Sequence, residues 1–167
     1  ITGNFIGNYV FNANAIGGAI YNSGIIGDIT GDFIGNYSSD SVGGAIFNDY
    51  DSSIGNIIGD FIGNHSKAYG GAINNSGRTA IGNITGDFIG NYASSSNYSD
   101  YVYGGAIYNA GNIGSVSGDL IANHTSASDL LALGGAVYTS SDMTFSAGGK
   151  VRTISGNYTE DTKRGKN

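Results

Sequence analysis

The chain has 167 residues, of which 30 are glycine and 12 tyrosine, and it contains no proline, cysteine or tryptophan. That length allows one domain with a small core, and the missing cysteine excludes disulfides, thiolate metal sites and cysteine nucleophiles. Residues 1–149 carry eleven aspartates against Lys67 and Arg78, a net charge of −9, which argues against nucleic acid as a partner.

Repetition organises the chain from its first residue. Ile1-Thr2-Gly3-Asn4-Phe5 already belongs to a motif, so a processed chain or a fragment with an uncapped first coil is expected. The motif stands complete at Ile29–Tyr37 and returns at Ile57–His65, Ile84–Tyr92 and, more loosely, Val116–His124, with a degenerate copy ending at Ile154–Tyr158. Phe5, Phe33, Phe61, Phe88 and Leu120 are separated by 28, 28, 27 and 32 residues. A second block, Gly-Gly-Ala-Ile/Val, begins at Gly17, Gly43, Gly70, Gly104 and Gly134.

Helical repeats do not fit this chemistry, because glycine costs roughly 1 kcal/mol against alanine inside a helix and here recurs every few residues. Leucine-rich repeats do not fit a chain whose only leucines are 120, 130, 131 and 133. Isoleucine, valine, phenylalanine and tyrosine suit strands. The expected fold is all-β: a right-handed parallel β-helix of about five to six coils, each of roughly 28 residues with three short strands. In the second coil those strands are expected near Ile26–Thr30, Asp32–Tyr37 and Gly44–Asn48. Residues 1–158 are read as one solenoid domain, with 138–158 a degenerate last coil or cap, and 159–167 as a polar basic tail. No run of eighteen apolar residues is present, so no helical membrane span is expected.

The distance from the motif's asparagine to the next Gly-Gly is nine, seven, six, thirteen and eleven residues in successive coils, so one edge of the solenoid takes the insertions. The longest insert, 93–103, is rich in tyrosine; Tyr98, Tyr101 and Tyr103 are the candidate ligand contacts there.

Stacking places equivalent residues about 4.8 Å apart, which turns each repeat position into a column. Asn8, Asn36, Asn64, Asn91 and Asn123 are expected to form a buried amide ladder, which would close the sequons in that column to glycans; Asn97 is the more accessible sequon. One Phe and two Ile per coil bury roughly 5–8 kcal/mol of gross apolar stabilisation, which conformational entropy opposes. The double glycine suits a corner that turns sharply or needs positive φ.

The polar column before Phe contains Asn4, Asp32, Asp60, Asp87 and Asp119. Its aspartates have the oxygen chemistry calcium requires. A row of turn carboxylates accepting backbone N–H groups is the plainer reading, and it is preferred because the glycine-aspartate nonapeptide of calcium-binding β-rolls is absent. Carboxylates in any such column meet the spacing of a retaining glycosidase, so that spacing does not identify one. A lyase for acidic sugars would need bases to converge, and His65, Lys67 and Arg78 are the available set. His65 and His124, however, share a column with Tyr9, Tyr37, Tyr92 and Tyr158, which reads as aromatic stacking. Adjacent apolar pairs such as Ile20-Tyr21, Ile25-Ile26, Phe33-Ile34 and Ile57-Ile58 require some apolar columns to face outward or to sit at corners.

The alternation of Gly-Gly-Ala-Ile with Phe-x-x-Asn over about residues 1–158 resembles the repeats of chlamydial polymorphic outer-membrane proteins and of related adhesin-like passenger regions. Phe-x-x-Asn is complete at Phe5–Asn8, Phe33–Asn36, Phe61–Asn64 and Phe88–Asn91. The resemblance implies a right-handed β-helix exposed on a cell surface, often an adhesive autotransporter passenger. The expected function is therefore a non-enzymatic adhesin passenger or structural stalk, extracellular or at the cell surface. Its expected partners are a host or neighbouring cell surface and a carbohydrate or protein receptor. A self-assembling fibre joined through open terminal coils is the alternative, and a polysaccharide-active enzyme the third reading.

Overall fold

The structure, a computed structural model, describes residues 1–11, 15–39, 42–97, 101–128, 131–141, 143–145 and 154–161. Every strand pairing among these residues is parallel and joins equivalent positions of successive coils, so the chain is a parallel β-solenoid. No helix among the described residues is long and apolar enough to cross a membrane.

Four sheets run the length of the molecule. The first contains Phe5–Ile6, Phe33–Ile34, Phe61–Ile62, Phe88–Ile89, Leu120–Ile121 and Ile154–Ser155. The second, from Tyr9–Val10 through Tyr37–Ser38, His65–Ser66, Tyr92–Ser95 and His124–Ala127 to Tyr158–Asp161, holds the aromatic column. The third follows each Gly-Gly: Ile20–Asn22, Ile46–Asn48, Ile73–Asn75, Ile107–Asn109 and Val137–Thr139. The fourth is split in early coils (Ile25–Ile26 and Ile29–Thr30; Ser53–Ile54 and Ile57–Ile58) and continuous later, at Ala80–Thr85 and Asn112–Ser117, ending with Met143–Phe145. A two-stranded sheet, Val102–Tyr103 with Ala132–Leu133, forms where the inserts are longest.

The strands are shorter and more numerous than the repeat alone implies. Where one strand is expected over Asp32–Tyr37, two form, because Gly35 takes φ 61° and turns the chain between Phe33–Ile34 and Tyr37–Ser38. That turn explains the adjacent apolar residues. Phe33 and Asn36 point in and are fully buried, while Ile34 and Tyr37 lie half-buried on the outside. Each corner restarts the alternation of sides. At the far end, the strand Tyr158–Asp161 extends three residues past the boundary expected at 158.

The core follows from the columns. Phe5, Phe33, Phe61 and Phe88 stack with ring centroids 4.6–4.8 Å apart and planes within 4° of parallel. Ile29, Ile46, Ile57, Ile73, Ile84 and Ile107 fill the remaining interior, all fully buried. Isolated aromatic pairs prefer offset or edge-to-face arrangements, so the parallel stack reflects backbone hydrogen bonding that fixes the coil spacing.

Candidate binding surface

The Gly-Gly corner sets the positions of the side chains around it. Gly70 takes φ 65°, a left-handed conformation that side chains resist. Gly71 is needed for a different reason: a Cβ there would fall on the Gly105 carbonyl oxygen and lie 2.6 Å from the Tyr92 carbonyl carbon. Two coils therefore touch backbone to backbone, which draws the residues on either side of the corner together.

Before the corner runs the column Ile16, Val42, Tyr69, Tyr103, Leu133, joined by parallel bridges and strand pairing. After it, on the outer side of the third sheet, runs the column Tyr21, Phe47, Asn74, Tyr108, Tyr138. Over the third to fifth coils the first column supplies Tyr69 and Tyr103, the second supplies Tyr108 and Tyr138, and the rings meet. Tyr69 stacks on Tyr103 at 5.5 Å and meets Tyr108 edge-on at 5.2 Å. Tyr103 lies 4.6 Å from Tyr138, and Tyr108 stacks on Tyr138 at 5.6 Å. Tyr101, 46% exposed, extends the group by stacking on Tyr103 at 6.1 Å. The other four rings are half-buried, each keeping a face or edge in water. Burial, with neighbouring phenols adding to it, pushes the Tyr103 and Tyr108 hydroxyls above their ordinary value, so both remain neutral hydrogen-bond donors at physiological pH.

Of the three tyrosines expected to contact ligand, Tyr101 and Tyr103 lie in this cluster, and Tyr98 lies outside the described residues. Tyr69, Tyr108 and Tyr138 complete it from other coils. Their signal lies in columns, since Tyr69 and Tyr103 each precede a Gly-Gly and Tyr108 and Tyr138 each follow the isoleucine or valine after one.

The asparagine column is a continuous ladder. From Asn8 to Asn157, each Nδ2 donates to the Oδ1 of the asparagine one coil on at 2.9–3.0 Å. The same Oδ1 accepts the backbone N–H of the donor residue, and Nδ2 from Asn36 onward also donates to a carbonyl of the preceding coil. Asn36, Asn64, Asn91 and Asn123 are fully buried, and Asn97 is exposed. A second ladder, missed by the sequence reading, follows the Gly-Gly blocks. Asn22, Asn48, Asn75 and Asn109 pass hydrogen bonds of 2.8–2.9 Å along the third sheet to Asn109, which donates to Thr139 at 3.2 Å. An asparagine five residues after the first glycine of four blocks was its signal.

The aspartate column also bonds along the solenoid axis. Oδ1 of Asn4, Asp32, Asp60 and Asp87 accepts the backbone N–H of the next member at 2.7–3.0 Å, ending at Asp119. Among the described residues, no three His, Asp or Glu side chains converge to hold a metal ion. His65 stacks between Tyr37 at 4.9 Å and Tyr92 at 3.8 Å, and its Nε2 lies 3.1 Å from Ser94 Oγ. Burial lowers its pKa to about 4. Arg78 instead lies over the Tyr50 ring, 5.2 Å from its centroid, so no contact unites it with His65. Comparison of the chain with family models, curated proteins and solved structures finds no match.

Proposed function

We propose that this chain is a non-enzymatic β-helix displayed at a cell surface or outside the cell, where it serves as an adhesive passenger or stalk. The observation that carries this reading is the cluster of Tyr69, Tyr101, Tyr103, Tyr108 and Tyr138, gathered from three coils at the edge where coil length varies. Tyrosine offers large, rigid, amphipathic contact area at low entropic cost, which suits recognition of a carbohydrate or protein receptor. The regular columns support the division of labour. Buried asparagines bond to one another, and the aspartate row bonds to backbone, so both serve coil stacking.

The test compares adhesion to intact cells and to a glycan array before and after the double substitution Tyr101→Ala/Tyr103→Ala. At least a tenfold loss of binding is expected with an unchanged thermal midpoint. Undiminished binding to every surface recognised by the unaltered chain would sink the proposal.

A further inference from the structure

Four residues, 76–79, separate Asn75 from the strand beginning at Ala80, whereas only Ala110 and Gly111 separate Asn109 from the strand beginning at Asn112. The longer turn overhangs the shorter and leaves a step in the solenoid wall. A cleft of about 320 Å³ occupies that step, lined by Arg78, Thr79, Ala110, Gly111, Asn112 and Ser141. Arg78 is placed there by its backbone, at φ 57°, and by its position over the Tyr50 ring. Among the described residues its guanidinium forms no hydrogen bond or ion pair, which leaves a planar fork of donors at the cleft. Among the described residues, the aspartates of the turn one coil back do not occupy it. Asp49 accepts from the Tyr21 hydroxyl at 2.7 Å and from the Tyr50 backbone N–H. Asp51, one coil back at the same place in the turn, also has a left-handed backbone, at φ 58°, and no ion pair joins it to Arg78.

Tyr108 stands two residues before Ala110, and Tyr138 three before Ser141. A chain advances at most about 3.3–3.6 Å per residue, so Tyr108 lies within roughly 7 Å of Ala110 and Tyr138 within roughly 11 Å of Ser141, the span of one or two sugar units. We infer that this step binds an acidic polysaccharide, with Arg78 clasping the anionic group of one sugar while neighbouring rings pack on Tyr108 and Tyr138. This inference rests on the adhesive reading and gives it a ligand class. The net charge of −9 over residues 1–149, where Arg78 is the one arginine, makes this guanidinium selective, since an anion is accommodated at the cleft and repelled by the aspartates of that stretch.

The test measures binding of the full chain to hexagalacturonate and to a heparin-derived hexasaccharide. Fully methyl-esterified hexagalacturonate is the neutral control and inorganic sulfate the free-anion control. At least one acidic hexasaccharide should bind ten or more times more tightly than the ester. Arg78→Gln should remove that preference, Tyr138→Ala should weaken binding several-fold, and Asp51→Asn should strengthen it by relieving repulsion. Thermal midpoints serve as folding controls. Equal binding of ester and acid with Tyr138→Ala still damaging would overturn the inference and leave the adhesive reading standing. So would inorganic sulfate displacing the hexasaccharide at equal concentration, which would mark a small-anion site only. Binding of neither acidic hexasaccharide, or binding indifferent to Arg78→Gln, also overturns it.

Discussion

The corner after each Phe-Ile strand and the edges flanking the third sheet belong to the same repeat, yet they differ in what they tolerate. At the Phe-Ile corner the spacing from phenylalanine, or its replacement, to asparagine is three residues in every copy. Asn64 shows why: its side chain bonds Asn91 ahead and the Phe33 carbonyl behind, so an inserted residue would break bonds in three coils. At the edges, the turn after each asparagine of the second ladder has two residues or four, and the spacing to Gly-Gly ranges from six to thirteen. Those loops need not match a neighbouring coil. Uniformity marks positions bonded along the axis, whereas Arg78 stands in a turn of variable length and Tyr101 and Tyr103 close the longest of the variable stretches.

The comparison is broken most severely at Gly71. The Cβ of Gly71→Ala meets the backbone carbonyls of Tyr92 and Gly105, both in the next coil, so neither can yield without separating coils. We expect a loss above about 4 kcal/mol, with failure to accumulate as folded protein. Gly63→Ala tests a position of the opposite kind: φ is 60°, but nothing lies within 4 Å of the added atom. Left-handed strain alone costs about 1–2 kcal/mol there. Urea midpoints of the two variants separate close approach from backbone strain, and equal losses would show that the inter-coil contact at Gly71 is not tight.

Asn64→Ala should come next, at about 3–5 kcal/mol, because it strands the Asn36 amide groups and the Phe33 carbonyl in a buried site. Arg78→Gln, at the variable edge, should stay within about 0.5 kcal/mol. Chemical denaturation of both variants checks the contrast. A comparable cost at the two positions would mean that the edge is as constrained as the corner.

This contrast also explains how much of the fold is legible in the sequence. Phe-x-x-Asn and Gly-Gly-Ala-Ile recur at fixed offsets, so columns, coil length and the parallel solenoid were legible from spacing. Strand bounds were not, because Gly35 resets the alternation of sides within a motif that reads as one continuous strand. Tyr101 and Tyr103 drew notice because they lie in a conspicuous insert. Tyr69, Tyr108 and Tyr138 did not, since nothing in a linear pattern says that the columns before and after a Gly-Gly corner face each other. The Arg78 cleft was hidden for a related reason: it arises from a difference in length between two turns, neither of which is unusual alone.

Acidification should weaken the aromatic column of the second sheet while sparing the phenylalanine stack. His65 titrates near 4 when folded, against 6.5 unperturbed, because burial penalises its charged form, with His124 adding to the effect. The unfolded chain therefore takes up a proton as pH falls below 6.5 while the folded chain does not. Stability declines between about pH 6.5 and 4 and levels off below, with a total near 2 kcal/mol after allowance for partial exposure. His124 is pushed the same way by burial, with Glu160 opposing it. His65→Tyr restores the residue found at this place in the neighbouring coils and should flatten the profile. An unchanged slope in that variant would exclude His65 as its source.

The smallest expected effect is a gain, and it tests whether the Phe-Ile corner is optimised in every coil. Ala122 has φ 53° at the place where Gly7, Gly35, Gly63, Gly90 and Gly156 have φ 60–65°. Alanine reaches this conformation only against the clash of its Cβ with the following carbonyl, at about 1–2 kcal/mol. Glycine removes that strain but gives the unfolded chain more conformations to lose, which returns about 0.4–1 kcal/mol. The difference leaves Ala122→Gly more stable by roughly 0.5–1 kcal/mol. Because the flanking Asn91–Asn123 and Asn123–Asn157 bonds at 2.9 and 3.0 Å need no rearrangement, the gain should appear as a higher denaturant midpoint with an unchanged slope. A lower midpoint would mean that the Ala122 methyl contributes packing that outweighs the strain.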